Sequence, residues 1–410
     1  MRDKLFSLMK DSAQLYVAQL VGLLVGFGVS LVVARLLGPD GRGAYGWIMS
    51  LFMVAIPLGQ VGTDILNRRL AAQQPQLART LAGTSIAQAI LWGGVVALAM
   101  LAFGLSQSVG QSHVWALVLA ASLLPLNMSQ GLLGTVAAGL GRFKDVAGME
   151  LTQKLTMAAG VALVAMVWSL DVWHLLAVQG IALAAACWFV GRRVAREAGW
   201  PWCVDWRLLR QHRALMLGAF AANVSWILLQ RVDVIMLGIW RPLAETGYYT
   251  VALSLIDAMV VLPGVIAMVL MNRVAAETDT RERWRFLLII MVLTLSVFAI
   301  VCALVAWVAP WLIPFLFGAN FVDTVPVFER LLIAAWLMAG YQLAQNAVAG
   351  YGRARYQMLA PFSGLLVKVG FGWMFISHGV MAAANATVLA YATAFAVAMA
   401  VAVWGGAKRA

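Results

Sequence analysis

Long apolar runs separated by short polar gaps set the plan of this chain. Twelve runs reach spanning length, at 12–34, 47–66, 81–103, 113–140, 150–168, 172–190, 214–240, 246–271, 284–308, 324–349, 357–377 and 380–404. Each comes near the roughly 20 residues an α-helix needs to cross ~30 Å of hydrocarbon. The pattern predicts an all-α membrane protein with about twelve transmembrane helices. Pro57, Pro263 and Pro361 fall inside runs and are expected to kink them. The first run is expected to stay in place rather than be cleaved as a leader, because it ends in Arg35-Leu-Leu-Gly-Pro39 without a small-residue cleavage site.

Composition names the solvent. The 410 residues are 63% hydrophobic and 11% charged, with a mean hydropathy of +0.88, so lipid must cover the apolar surface. A net charge of +12 would suit a nucleic-acid partner, but its distribution argues against one, because nearly all of the 29 Lys and Arg fall in every second gap. One side receives clusters such as Arg68, Arg69 and Arg79, then Arg142, Lys144 and Lys154, then Arg192, Arg193 and Arg196. The other receives Arg35, Arg42 and Arg241, while Arg231, Arg330 and Lys368 lie inside runs. By the positive-inside rule both termini are expected in the cytoplasm. Trp47, Trp115, Trp168, Trp173, Trp240, Trp307 and Trp311 sit close to the outer run ends, as an aromatic belt would. Cys187, Cys203 and Cys302 have no metal-ligand or disulfide spacing.

Three short signatures recur at about half-chain spacing. Gly43-Ala-Tyr45 answers to Gly247-Tyr-Tyr249, Gly139-Leu-Gly-Arg142 to Gly350-Tyr-Gly-Arg353, and Phe103-Gly104 to Phe317-Gly318. Their common order predicts two six-helix lobes, 1–190 and 214–410, joined by a cytoplasmic linker at 191–213. Six being even, the lobes run in the same direction, which implies a pseudo-twofold axis along the membrane normal. The linker carries Trp200, Trp202 and Trp206 among arginines, a composition that suits the anionic inner leaflet as well as an ordinary connection.

Charges inside the runs carry the functional argument, since each costs roughly 2.5–3.5 kcal/mol near the bilayer centre unless it meets a partner or a wet cavity. Arg231 and Asp233 lie on the seventh run, Asp257 on the eighth, Glu329 and Arg330 on the tenth and Lys368 on the eleventh. Arg231 and Asp233 are separated by about 200° of helix and must face different surroundings. Two readings stay open. In one, Arg231, Arg330 and Lys368, with Arg35 at the outer rim, attract phosphate or acidic sugar groups. In the other, these cations neutralise Asp233, Asp257 and Glu329 across helices. The carboxylates are also candidates for binding or releasing a driving ion. Gln342, Gln345 and Asn346, with Asn223 and Gln230, are candidates for hydrogen bonds to sugar hydroxyls or between helices. Gly22-xxx-Gly26 reads as a packing notch. His113, His174, His212 and His378 are dispersed, with no metalloprotease spacing and no phosphate-cradling glycine loop, so enzyme chemistry, cofactors and resident metals are not expected.

Five segments carry a family likeness. They are Ala34-Arg-Leu-Leu-Gly-Pro-Asp-Gly-Arg-Gly-Ala-Tyr-Gly46, Leu229-Gln-Arg-Val-Asp-Val-Ile-Met-Leu237, Ala244-Glu-Thr-Gly-Tyr-Tyr-Thr-Val-Ala252, Phe317-Gly-Ala-Asn-Phe321 and Ala349-Gly-Tyr-Gly-Arg353. In this order they resemble the polysaccharide or O-antigen flippases of the multidrug/oligosaccharidyl-lipid/polysaccharide (MOP) exporter superfamily, and the resemblance implies a MATE-like fold. It implies movement of an undecaprenyl-pyrophosphate-linked glycan between leaflets of the bacterial cytoplasmic membrane by alternating access, with membrane lipids, a polysaccharide polymerase and chain-length machinery as partners. Some relatives bind a cation among helices seven, eleven and twelve. Here Asp233 is in place, Asn385 and Thr387 are candidate contributors, and Lys368 stands where an oxygen ligand is expected. Two alternatives are an ion-coupled multidrug or small-cation antiporter of the same superfamily and a membrane-embedded glycosyl-transfer enzyme.

Overall fold

A computed structural model describes residues 2–199, 203–276, 280–350 and 356–407, with side chains described at 21–199, 203–271, 273–274, 281–350 and 356–404. Trp200 and Trp202, and the Tyr351 to Arg353 part of the second repeat signature, lie outside the described residues. The first half forms α1 (Arg2–Gln60), α2 (Thr63–Gln73), α3 (Ala78–Leu105), the short α4 (Ser108–Ser112), α5 (Val114–Gly139), α6 (Phe143–Val167), α7 (Val172–Ala198) and the short α8 (Trp206–Gln211). The second forms α9 (Arg213–Trp240), α10 (Leu243–Met259), α11 (Val261–Ala276), α12 (Thr280–Phe317), α13 (Thr324–Gly350), α14 (Leu359–Phe375) and α15 (Val380–Ala407). Among the described residues there is no strand.

The 59 residues of α1 would run about 88 Å if straight, far beyond one bilayer crossing. Gly38 divides them, with φ 66° and ψ −177° in the Leu-Gly-Pro sequence. Among the described residues eleven helical segments are long and apolar enough to cross a membrane, and the first is this divided pair, which makes twelve spans. Proline accounts for another interruption. The ring of Pro263 clashes with the carbonyl four residues earlier, and α10 ends there, at Met259. Pro361 makes no kink, because it falls in the first turn of α14, where helical N–H groups need no intrahelical partner. After Pro57, α1 ends at Gln60, and the left-handed pair Val61 and Gly62 follows. The carbonyls of Gly59 and Gln60 at this break accept from Gln88 Nε2 at 3.1 and 2.9 Å, which satisfies backbone that lipid could not.

The chain divides into two compact units, one of residues 1–37 and 48–224, the other of 38–47 and 225–410. The division falls within α9, and 191–213 belongs to the first unit. In the first, α5 is the most enclosed span and packs on α3 and α7. In the second, α13 is the most enclosed and packs on α11, α12 and α15. The closeness of α15 follows from its buried face of Ala383, Thr387, Ala390, Ala394, Ala398 and Ala402, small side chains at helical spacing that let backbones approach.

Segment 38–47 shows what the first repeat signature does. A Cβ at Gly43 would collide with the carbonyl of Leu243 and the nitrogen of Gly247, and one at Gly247 with the carbonyl of Pro39. The paired glycines therefore exist for one backbone-to-backbone contact. Trp47 is not a belt residue. It is fully buried against Gly238 and donates from Nε1 to the Ile235 carbonyl at 3.2 Å, whereas Trp115, Trp168, Trp307 and Trp311 are well exposed.

Candidate functional site

The second unit gathers four of its intramembrane charges into two neighbouring layers. In the inner one, α9 supplies Asp233, α10 Tyr249, α14 Lys368 and α15 Thr387. Lys368 Nζ lies 2.6 Å from Asp233 Oδ2 and donates to the Leu229 carbonyl at 2.7 Å. Asp233 Oδ2 also accepts from Tyr249 at 2.5 Å and Thr387 at 2.9 Å, and the two hydroxyl oxygens are 2.8 Å apart. Lys368 and Asp233 are 1% and 2% exposed, so no solvent screens the pair. A buried ion pair survives when its remaining hydrogen-bonding capacity is filled, and these hydroxyls fill it. The residues do not fit a bound sodium ion, because the ammonium and two hydroxyl donors already crowd the carboxylate oxygen that would ligate it.

The second layer is open to solvent on one side. Arg231 Nη2 meets Asp257 Oδ2 at 2.8 Å, with side chains 19% and 42% exposed. Arg231 and Asp233, two residues apart, thus belong to different pairs. Between the layers lies a cavity of about 20 Å³ whose lining includes Gln230, Asp257, Lys368, Thr387 and Tyr391. It has room for about one water molecule.

The other sequence candidates scatter. Arg330 is exposed and donates from Nε to Asn385 Oδ1 at 2.6 Å. Glu329 is exposed and makes no ion pair among the described residues. Arg35 is exposed and belongs to the first unit. Gln345 Nε2 donates to the Gln357 carbonyl at 2.6 Å, and Asn346 Nδ2 to the Gln342 carbonyl at 2.9 Å. Buried Gln342 Oε1 faces Gly264 without a donor among the described residues. Asn223 donates to Asp64 at 3.1 Å in the first unit. At the edge of the second unit, Arg241 and Glu245 pair at 2.5 Å. Glu245 also accepts from the first N–H of α15 at 2.9 Å. This hydrogen-bonded carboxylate raises the Arg241 pKa above its ordinary value.

Sequence reasoning missed two features. Tyr249 was visible only as part of a repeat signature, since a hydroxyl's buried partner depends on tertiary packing. Lys154, counted with the inner-side cations although the run 150–168 already contained it, is the twelfth of 25 residues of α6 and so lies near the middle of a span. The signal was the Gly141-Arg142 break, which starts α6 earlier than hydropathy suggests.

Twelve apolar spans, with charged pairs at membrane depth in the second unit, define a polytopic membrane protein. Residues 8–275 match the family described as "polysaccharide biosynthesis protein", and the chain belongs to that family. Its fold is similar to that of the lipid II flippase MurJ in an inward closed conformation, with a TM-score of 0.75 at 13% identity over 97% of this chain and 89% of that one. It is also similar to an inward-facing multidrug resistance MATE transporter, with a TM-score of 0.64 at 15% identity over 94% of both chains. A MOP superfamily transporter from Pyrococcus furiosus, described as having a binding pocket of reversed polarity, gives 0.63 at 14% identity over 97% and 94%. No curated protein matches by sequence.

Proposed function

We propose that this protein carries an undecaprenyl-pyrophosphate-linked oligosaccharide repeat unit from the inner to the outer leaflet of the bacterial cytoplasmic membrane, for assembly of a surface polysaccharide. The observation that carries this reading is membership of a polysaccharide biosynthesis family by a chain with the fold of MOP transporters. Both termini face the cytoplasm, as the gap charges favour, and the lobes 1–190 and 214–410 alternate access. Polymerase and chain-length proteins receive the product.

The charge layers suggest a division of labour. Lys368 and Asp233 neutralise each other without solvent and hold α9, α10, α14 and α15 together. Arg231 and Asp257 are accessible, and a phosphate group competes with Asp257 for the guanidinium fork. Asp257, released, takes up a proton or another cation, which links substrate binding to an ion gradient. The test is Asp257→Asn in proteoliposomes: transport of labelled lipid-linked oligosaccharide is expected to lose its dependence on the driving gradient. Unchanged gradient dependence would remove Asp257 from coupling. Transport of a cationic drug but of no lipid-linked glycan would favour the antiporter alternative.

A further inference from the structure

We infer that Lys154 is an anion-binding residue of the first unit, seated in the notch of Gly22 and taking the diphosphate oxygens of the lipid-linked substrate. The inference rests on the transport reading above and adds a binding residue in the other unit. Lys154 lies about 16 Å along α6 from Phe143 at 1.5 Å per residue, close to half the hydrocarbon thickness. An ammonium at that depth requires an anionic partner or access to water.

Among the described residues Lys154 makes no hydrogen bond or ion pair. The part of α1 beside it supplies none either, since residues 15–29 contain no Asp or Glu. Glu150, one turn earlier on α6, is exposed and lies beyond ion-pair distance. The intramembrane cations of the second unit differ, with Lys368 on Asp233, Arg231 on Asp257 and Arg330 on Asn385.

Gly22 explains how the lysine is held. A Cβ there would stand 2.9 Å from Lys154 Cδ and 3.1 Å from Nζ, so the absent side chain lets the stem lie flat and brings the ammonium to the surface of α1. The notch therefore receives a cation rather than a neighbouring helix. Polar groups adjoin it, for Gln153, next on α6, accepts from Gln130 of α5 at 2.8 Å. A long, flexible point charge that is partly exposed suits a phosphate oxygen.

Binding of undecaprenyl diphosphate to the full-length protein in lipid nanodiscs tests this, with undecaprenol as the neutral probe. Lys154→Gln is expected to weaken diphosphate binding tenfold or more and Lys154→Arg less than threefold, with undecaprenol binding unchanged in both. Gly22→Ala, which displaces only a flexible side chain, is expected to weaken diphosphate binding severalfold and to add nothing to Lys154→Gln. It also serves as the test if Lys154→Gln fails to fold. Equal diphosphate binding by wild type and Lys154→Gln would overturn this inference alone. A wild-type protein that binds no diphosphate would overturn the transport reading as well.

Discussion

Lys368 and Asp233 form a solvent-excluded ion pair that is costly to break. Removing one partner of a buried ion pair strands the other charge and typically costs about 3–5 kcal/mol, whereas removing both charges costs much less. Lys368→Met is therefore expected to lower thermal stability by about that amount, and Lys368→Met with Asp233→Asn to recover most of it. If the double variant were as unstable as the single, the pair would not be the source of the loss. Arg231 and Asp257 behave differently, because Asp257 is 42% exposed and water screens the attraction. Asp257→Asn is expected to cost about 1 kcal/mol or less while impairing gradient-driven transport, a separation that thermal unfolding and flux assays read independently. The charged residues were visible in the sequence because charge inside a run is conspicuous. Their pairing was not, since Arg231 and Lys368 each had several carboxylates at similar depth to choose from.

At the scale of elements, hydropathy located the spans because each must fill the bilayer, and Pro263 marked where α10 gives way to α11. It failed at the start of α6, where Lys144 and Asp145 make the first turns polar enough to resemble a loop and the apolar run starts at 150 instead of 143. The helix continues there because α5 and α7 flank it and supply partners such as Gln130. Trp47 was misplaced for a related reason. It lies near a span end, but segment 38–47 folds back onto α9 and α10 and encloses it. The contact of Gly43 with Gly247 makes a direct prediction. Gly43→Ala or Gly247→Ala forces two backbones apart and is expected to cost about 1–3 kcal/mol. Gly218→Ala on α9, where a Cβ meets nothing within 4 Å, is expected to be neutral or to stabilise by up to about 1 kcal/mol. Thermal unfolding of the three variants in one detergent distinguishes them, and equal midpoints would contradict the close-approach account.

For the whole molecule, the number of spans and the family were legible because lipid imposes a simple length rule and the family signatures are spread through most of the chain. The cargo was not, because the residues that touch it are few and the same fold supports different substrates. The central claim is that a lipid-linked glycan crosses the bilayer intact through this protein. The most direct measurement reconstitutes the purified protein in proteoliposomes loaded on one leaflet with fluorescent undecaprenyl-pyrophosphate-linked oligosaccharide and follows its appearance on the other leaflet. The account predicts protein-dependent translocation with the mass of the glycolipid unchanged. No translocation above protein-free vesicles under a proton, sodium or voltage gradient, or a change in the glycolipid's mass, would contradict it.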